Sequence, residues 1–378
     1  MQIRYLTHRP DDGWSAPLPA ELDSARTLVV VFAATRYAER AGFWAAIADA
    51  FPHSHVLACS SAGEIAGSSI DDASAVLAVS RFERATLTSA AVPIQAVGTS
   101  RHTGEKLGRL LAPAAPAAVL VLSDGLQVNG ADLVRGLVAA LPAATPIVGG
   151  LAADATRFAR TWTLVDGVPR SGWVTAVALS GPVNVGIATR SGWQPFGPER
   201  CITRSEGSVL HELDGRPALA LYKDYLGELA SGLPSTALLF PLAVTSSSGG
   251  GDDCVRTAIA VDESSQSMTF AGDMPQGARA RLMRVGHERL IDAAAQAGAE
   301  AVGVAGAPVL ALAISCLGRR LVLGERCEEE TEATLQALPA GSTQVGFYSY
   351  GGIAPSAGPA CGLQNQTMTL ATFREIAA

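Results

Sequence analysis

A chain of 378 residues with 48% hydrophobic and 17% charged residues is long enough for about two to three domains and apolar enough for a sizeable core. Its formal net charge of -7, with no Lys/Arg cluster, excludes the electrostatic footprint of a nucleic-acid binder. The six cysteines are scattered without a C-x-x-C pair, so they read as reduced thiols of a cytoplasmic protein and not as a disulfide or zinc framework.

In chain order, residues 1–12 run into Asp11-Asp12 with no apolar stretch of the kind a signal peptide needs. A β-branched run from Leu28, a helical pattern from Tyr37 to Phe51 closed by Pro52, and a run from His55 into Ser60-Ser61-Ala62-Gly63-Glu64 form one strand–helix–strand unit. The same grammar returns twice. Val119 to Leu122, a helix over 132–141 and Pro142 lead to Ile147-Val148-Gly149-Gly150; Val309 to Ile314, a helix over 328–338 and Pro339 lead to Val345–Tyr350 and a Gly351-Gly352 turn. At the end of the second unit's first strand stands the polar loop Ser123-Asp124-Gly125, in the position where open α/β sheets hold ligands.

Hairpins are expected from Arg160 onward, with Asp166-Gly167 turning the chain between 162–165 and 173–179. A helix is expected over 218–229, a loop over 246–253 (Ser-Ser-Ser-Gly-Gly-Gly-Asp-Asp), strands over 256–261 and 268–271, and a long helix over 279–297. The longest uncharged run, 301–318, is broken by Gly303, Gly306 and Pro308 and reads as a loop followed by a buried strand, not a membrane span. The fold class is therefore α/β, with mixed sheets, βαβ-type units and hairpins.

These motifs in this order resemble the FIST sensory proteins over nearly the whole chain. Cys59-Ser60-Ser61-Ala62-Gly63-Glu64-Ile65, Ser123-Asp124-Gly125 and Gly149–Asp154 are similar to the marks of a FIST N domain, expected at 1–220. Ser315–Arg320, Gly346–Gly351 and Asn365-Gln366-Thr367 are similar to those of a FIST C domain, expected at 221–378. Gly352 and Gln364 depart from the family's usual acidic residue and histidine. The resemblance implies a stand-alone sensor that binds a small ligand, amino acids among the proposals, and signals by contact with a histidine kinase or a cyclic-dinucleotide enzyme. Haem-based nitric-oxide sensing is the alternative it implies, and an enzyme acting on a small metabolite is a second one.

The candidate ligand residues are polar groups at the strand ends: Ser60, Ser61, Gly63, Glu64, Ser123, Asp124, Arg319, Arg320, Tyr348, Tyr350, Asn365 and Thr367. An arginine after a buried strand can take a carboxylate in two parallel hydrogen bonds or can close a structural ion pair, and both readings stand. Tyr348 and Tyr350 share a strand face by the two-residue period, as a pocket wall or as a core pair. His211 and His287 are the candidates for a haem axial ligand; His53 and His55 have strand spacing but lack a third metal ligand. No P-loop, nucleophile elbow or H-E-x-x-H occurs.

Overall fold

A computed structural model describes residues 1–245, 254–302, 306–355 and 361–376. The 246–253 loop lies outside the described residues. All three strand–helix–strand units form. The first is β1 (Thr27–Ala34), α1 (Ala41–Ala50) and β2 (His55–Ser61), followed by β3 (Glu64–Ala66) and β4 (Ala75–Arg81). The second, after α2 (Ser100–Leu111), is β5 (Ala118–Ser123), α3 (Gly130–Ala140) and β6 (Ile147–Leu151), followed by β7 (Thr163–Val165) and β8 (Trp173–Ser180). Helices α4 (Ala218–Leu226) and α5 (His287–Val302) precede the third, which is β9 (Leu310–Cys316), α6 (Leu317–Leu323), α7 (Cys327–Gln336) and β10 (Thr343–Ser349), followed by β11 (Gly351–Pro355) and β12 (Met368–Glu375).

Each unit nucleates its own sheet by the same rule. Its two strands pair in parallel, and a later strand adds antiparallel on the outside of the first: β4 on β1, β8 on β5, β12 on β9. The strand that leaves each unit crosses to a neighbour's sheet. β3 pairs with β10, β11 with β6, and β7 with β2, so the exchange closes a three-membered cycle. Three backbone hydrogen bonds repeat the cycle where the strands end: Ala62 N–H donates to Tyr348 O (2.9 Å), Ala153 N–H to Ser60 O (3.0 Å) and Tyr350 N–H to Leu151 O (3.2 Å).

The near-continuous apolar runs of these strands now have a cause, since both faces of each sheet are buried. Leu28, Val30 and Phe32 of β1, Leu120 and Leu122 of β5, and Leu310, Leu312 and Ile314 of β9 turn inward to one shared core, in which Phe32 stacks on Phe347 at 4.5 Å. The alternate residues Val29 and Val31, Val119 and Val121, and Ala311 and Ala313 turn outward onto helices. Three sheets thus wall one core, and their strand ends gather together.

Residues 194–245 and 254–284 form a separate lobe of short antiparallel strands around α4, with its own core of Ile202, Leu210, Leu219, Tyr222, Met268 and Phe270. Several local expectations are corrected. Arg279–Arg284 is a strand and not the start of a helix: Arg279 to Leu282 pair with Leu242–Thr245, and the helix begins at His287, beyond Gly286. Asp166 and Gly167, at φ 51° and 74°, turn β7 back onto Val168–Arg170 and not onto β8. Gly351-Gly352 do not turn the chain; they lie within β11, and the bend that carries the chain from one sheet to the next falls at Tyr350. Among the described residues no helix is long and apolar enough to cross a membrane.

Candidate functional site

The candidate site lies where the ends of the second and third units meet the lobe. A cavity of about 280 Å³ is bounded on the core side by Gly125, Leu126, Val128 to Gly130, Leu151, Phe158, Cys316 to Gly318, Ser349, Tyr350 and Asn365. Ser208, Leu238, Thr257, Ile259 and Thr269 to Gly272 of the lobe close the other side. Its volume falls at the small end of the range of about 300–1,000 Å³ usual for small-ligand pockets.

Asp124 shapes the first wall. Its buried carboxylate accepts hydrogen bonds from the backbone N–H groups of Leu126 (2.8 Å), Gln127 (2.7 Å) and Gly172 (3.0 Å), folding the loop back on itself. Gly125 permits the close approach, because a Cβ there would stand 1.9 Å from Ala152 O and 2.9 Å from the Tyr350 ring. Asn129 then caps α3, its side-chain oxygen accepting from Asp132 N–H (3.1 Å), while its amide N–H donates across to Asp273 of the lobe (3.3 Å). Arg135 on α3 reaches the same carboxylate at 2.7 Å, so core and lobe are tied beside the cavity.

The second wall is aromatic. Phe158 stacks on Tyr350 at 4.8 Å and 12°, and the Tyr350 hydroxyl rests against the Asp154 carboxylate and Ala155 O. Burial and that carboxylate raise the Tyr350 pKa well above the ordinary phenol value. Burial likewise pushes the Cys316 thiol up, so the sulfur facing the cavity is a neutral one.

The floor carries the unusual feature. Asn365 is 1% exposed, yet neither its side-chain oxygen nor its nitrogen has a hydrogen-bond partner, and the Thr257 hydroxyl on the opposite wall is also unpaired. Gln366 and Thr367, next in sequence, leave the Gln366 amide oxygen and the Thr367 hydroxyl without partners as well. Buried polar groups are normally paired, because leaving one unmet costs about 1–3 kcal/mol; an unpaired amide on a residue that lines a cavity is the signature of a missing partner.

Of the residues expected from the sequence, Tyr350 and Asn365 line this cavity, Thr367 is buried outside its lining, and Ser123 and Asp124 hold its loop from behind. The others meet elsewhere. Arg319 is 0% exposed and spent: it pairs with the equally buried Glu330 (2.8 and 2.9 Å) and donates to Ser191 O (2.7 Å) and Leu290 O (2.8 Å). Tyr348 donates to Glu330 at 2.8 Å. Arg320 lies over the Tyr348 ring at 5.2 Å and bonds to Asp72 and Ala62 O, against Gly63, where a Cβ would strike its guanidinium. Ser61 and Ser74 hold Glu64, and Ser60 accepts from Trp162 N–H (3.2 Å). These groups are already partnered, and none of them lines a cavity described among these residues.

Thr257, Phe158, Leu126, Ile259 and Phe270 were not anticipated. Four of them lie on the lobe or on loops whose approach to Asn365 is set by tertiary structure; only Phe158, exposed beside the glycine-rich exit of the second unit, carried a local hint. His211, half-buried in Val209–Leu213, and His287, exposed at the start of α5, are both absent from the lining. The described lining therefore offers a haem no imidazole. His53 pairs with Asp23 (2.7 Å) and His55 with Ser89 (2.5 Å), so the two do not converge; among the described residues no cluster is suited to a metal ion. A wider groove of about 460 Å³ runs between α1 and the Ser89–Ala91 strand, but its polar His55 and Ser89 are already partnered.

Residues 27–216 match the FIST N domain, and residues 218–355 match the FIST C domain. The chain belongs to the FIST family. FIST domains are sensory signal-transduction domains that bind small ligands, so the cavity sits in a family of sensors and not of catalysts. Two uncharacterized proteins of Mycobacterium tuberculosis strains are each 27% identical to this FIST protein over 250 residues, 63% of the chain; the chain spans 63% of the length of these relatives. A crystal structure of a cyanuric acid hydrolase from A. caulinodans is similar at a TM-score of 0.38 and 9% identity, over 100% of this chain and 99% of that one.

Proposed function

We propose that this FIST protein is a sensor that holds a small ligand between the strand ends of its second and third units and the lobe. The unpartnered amide of Asn365 carries the reading, since a ligand supplying both a donor and an acceptor removes its desolvation cost. The ligand touches Asn365 and Tyr350 on the core and Thr257 on the lobe, and so favours the arrangement in which the lobe is seated. That differential affinity for two arrangements is the signal, read by contact with a histidine kinase or a cyclic-dinucleotide enzyme.

The test is a thermal-shift panel of amino acids, organic acids and neutral metabolites on the wild type and on Asn365→Leu, which keeps the γ-branched outline and removes both polar atoms. A metabolite should stabilise the wild type and lose that effect in the variant. Stabilisation undiminished in Asn365→Leu would move the ligand out of this cavity.

A further inference from the structure

We infer that the ligand of this cavity is an uncharged molecule presenting an amide-type edge, one donor beside one acceptor, on an apolar body: a primary amide, a lactam or a nucleobase edge. The inference rests on the proposed site and specifies its ligand. Asn365 fixes the edge. A side-chain amide that is 1% exposed and has both its oxygen and its nitrogen free is matched by a partner offering N–H and C=O side by side, as a second amide does. The Thr257 hydroxyl across the cavity adds one group that can either donate or accept.

The rest of the lining sets the charge. Among the described residues no side chain facing the cavity is formally charged; the walls are Leu126, Val128, Leu238, Ile259, Phe270 and Leu317 with the Phe158–Tyr350 stack. The ionic groups of the flanking segments are engaged with one another or with backbone groups. Asp273 holds Arg135 and Asn129, and Arg256 donates to Asp273 O (3.2 Å) and Val255 O (3.1 Å). A carboxylate or ammonium entering this space surrenders its hydration and finds no counter-ion among the described lining residues, the Arg256 guanidinium behind Gly272 being taken up by backbone carbonyls, whereas an amide finds its full complement on Asn365. This separates the inference from the amino-acid ligand that the family resemblance implies.

Matched probes differing only in charge decide the matter. Benzamide and nicotinamide are titrated against benzoate, nicotinate and phenylalanine by calorimetry at pH 7, on the full-length wild type, Asn365→Leu and Asn365→Asp, with thermal melts confirming that both variants fold. The amides should bind the wild type at least tenfold tighter than the charged probes. They should lose at least tenfold in Asn365→Leu and also weaken in Asn365→Asp, which keeps the acceptor but not the donor. Charged probes that bind as tightly as the amides, and still need Asn365, overturn the ligand class and leave the site standing. Binding that survives Asn365→Leu, or the failure of every probe, overturns the ligand class and the site together.

Discussion

At the scale of single residues, the buried carboxyl of Glu64 shows how a polar group is retained without solvent. It is 1% exposed and accepts from Ser61, from Ser74 N–H (3.2 Å) and from the Ser74 hydroxyl (3.0 Å), yet burial outweighs these bonds and raises its pKa from 4.5 to about 8. Between those values the folded protein keeps a proton that the unfolded chain has released. Stability from this group is therefore full below about pH 4.5, falls as pH rises through the interval, and levels off above about 8. Glu64→Gln preserves a donor and an acceptor and removes the titration. Its stability relative to wild type should rise by about 1–3 kcal/mol between pH 5 and pH 8, each pKa unit being worth about 1.4 kcal/mol; urea melts that keep a constant difference across that range would contradict it. The same network explains why the site was only partly legible. The sequence marked Ser61, Glu64, Arg319 and Tyr348 as polar groups at strand ends, which they are. It could not show that Glu330, together with the carbonyls of Ser191 and Leu290, consumes Arg319, because those partners come from separate segments. Asn365 was legible as a candidate, and its lack of a partner was not.

At the scale of elements, glycine spacing on the two helices of the second unit determines how near they come. A Cβ on Gly104 of α2 would stand 2.1 Å from Leu133 O, and one on Gly136 of α3 would stand 2.0 Å from Arg101 O, so the backbones meet with nothing between them. Helix propensity alone favours alanine over glycine by about 1 kcal/mol, but overpacking against a fixed backbone costs about 1–3 kcal/mol. Gly104→Ala should therefore destabilise by about 1–2 kcal/mol in denaturant melts. Gly42→Ala on α1, where nothing lies within 4 Å, should be neutral or stabilising; equal effects of the two changes would dismiss the close-packing argument. Element type was read well where an apolar run lay between a proline-ended helix and a glycine, as in all three units. It failed at Arg279–Arg284, where arginines at 279, 281 and 284 fit either a helix face or the exposed side of a strand. There, pairing with Leu242–Thr245, some forty residues earlier in the chain, decided the outcome.

At the scale of the whole molecule, the segments matching FIST N and FIST C are consecutive in sequence and interleaved in space. From the first segment, β3 completes the third sheet beside β10, and Val183–Arg190 pairs along the length of β12; from the second, β11 completes the second sheet beside β6. The shared core draws Phe32 and Leu122 from one segment and Ile314 and Phe347 from the other, so neither segment can close it alone. A fragment of residues 1–217 would expose the β6 edge and the inner faces of two sheets, an arrangement prone to association and without a complete core. Expressed alone, that fragment should show no cooperative thermal transition, and the 218–378 fragment, whose parallel pair lacks β3, should behave likewise. Co-expressed, the two should assemble into a single species that melts cooperatively, because the exchanged strands supply each other's missing edges. Calorimetry on the separate and mixed fragments is the measurement; a 1–217 fragment that melts cooperatively near the temperature of the intact chain would mean that the strand exchange does not bind the two segments into one folding unit.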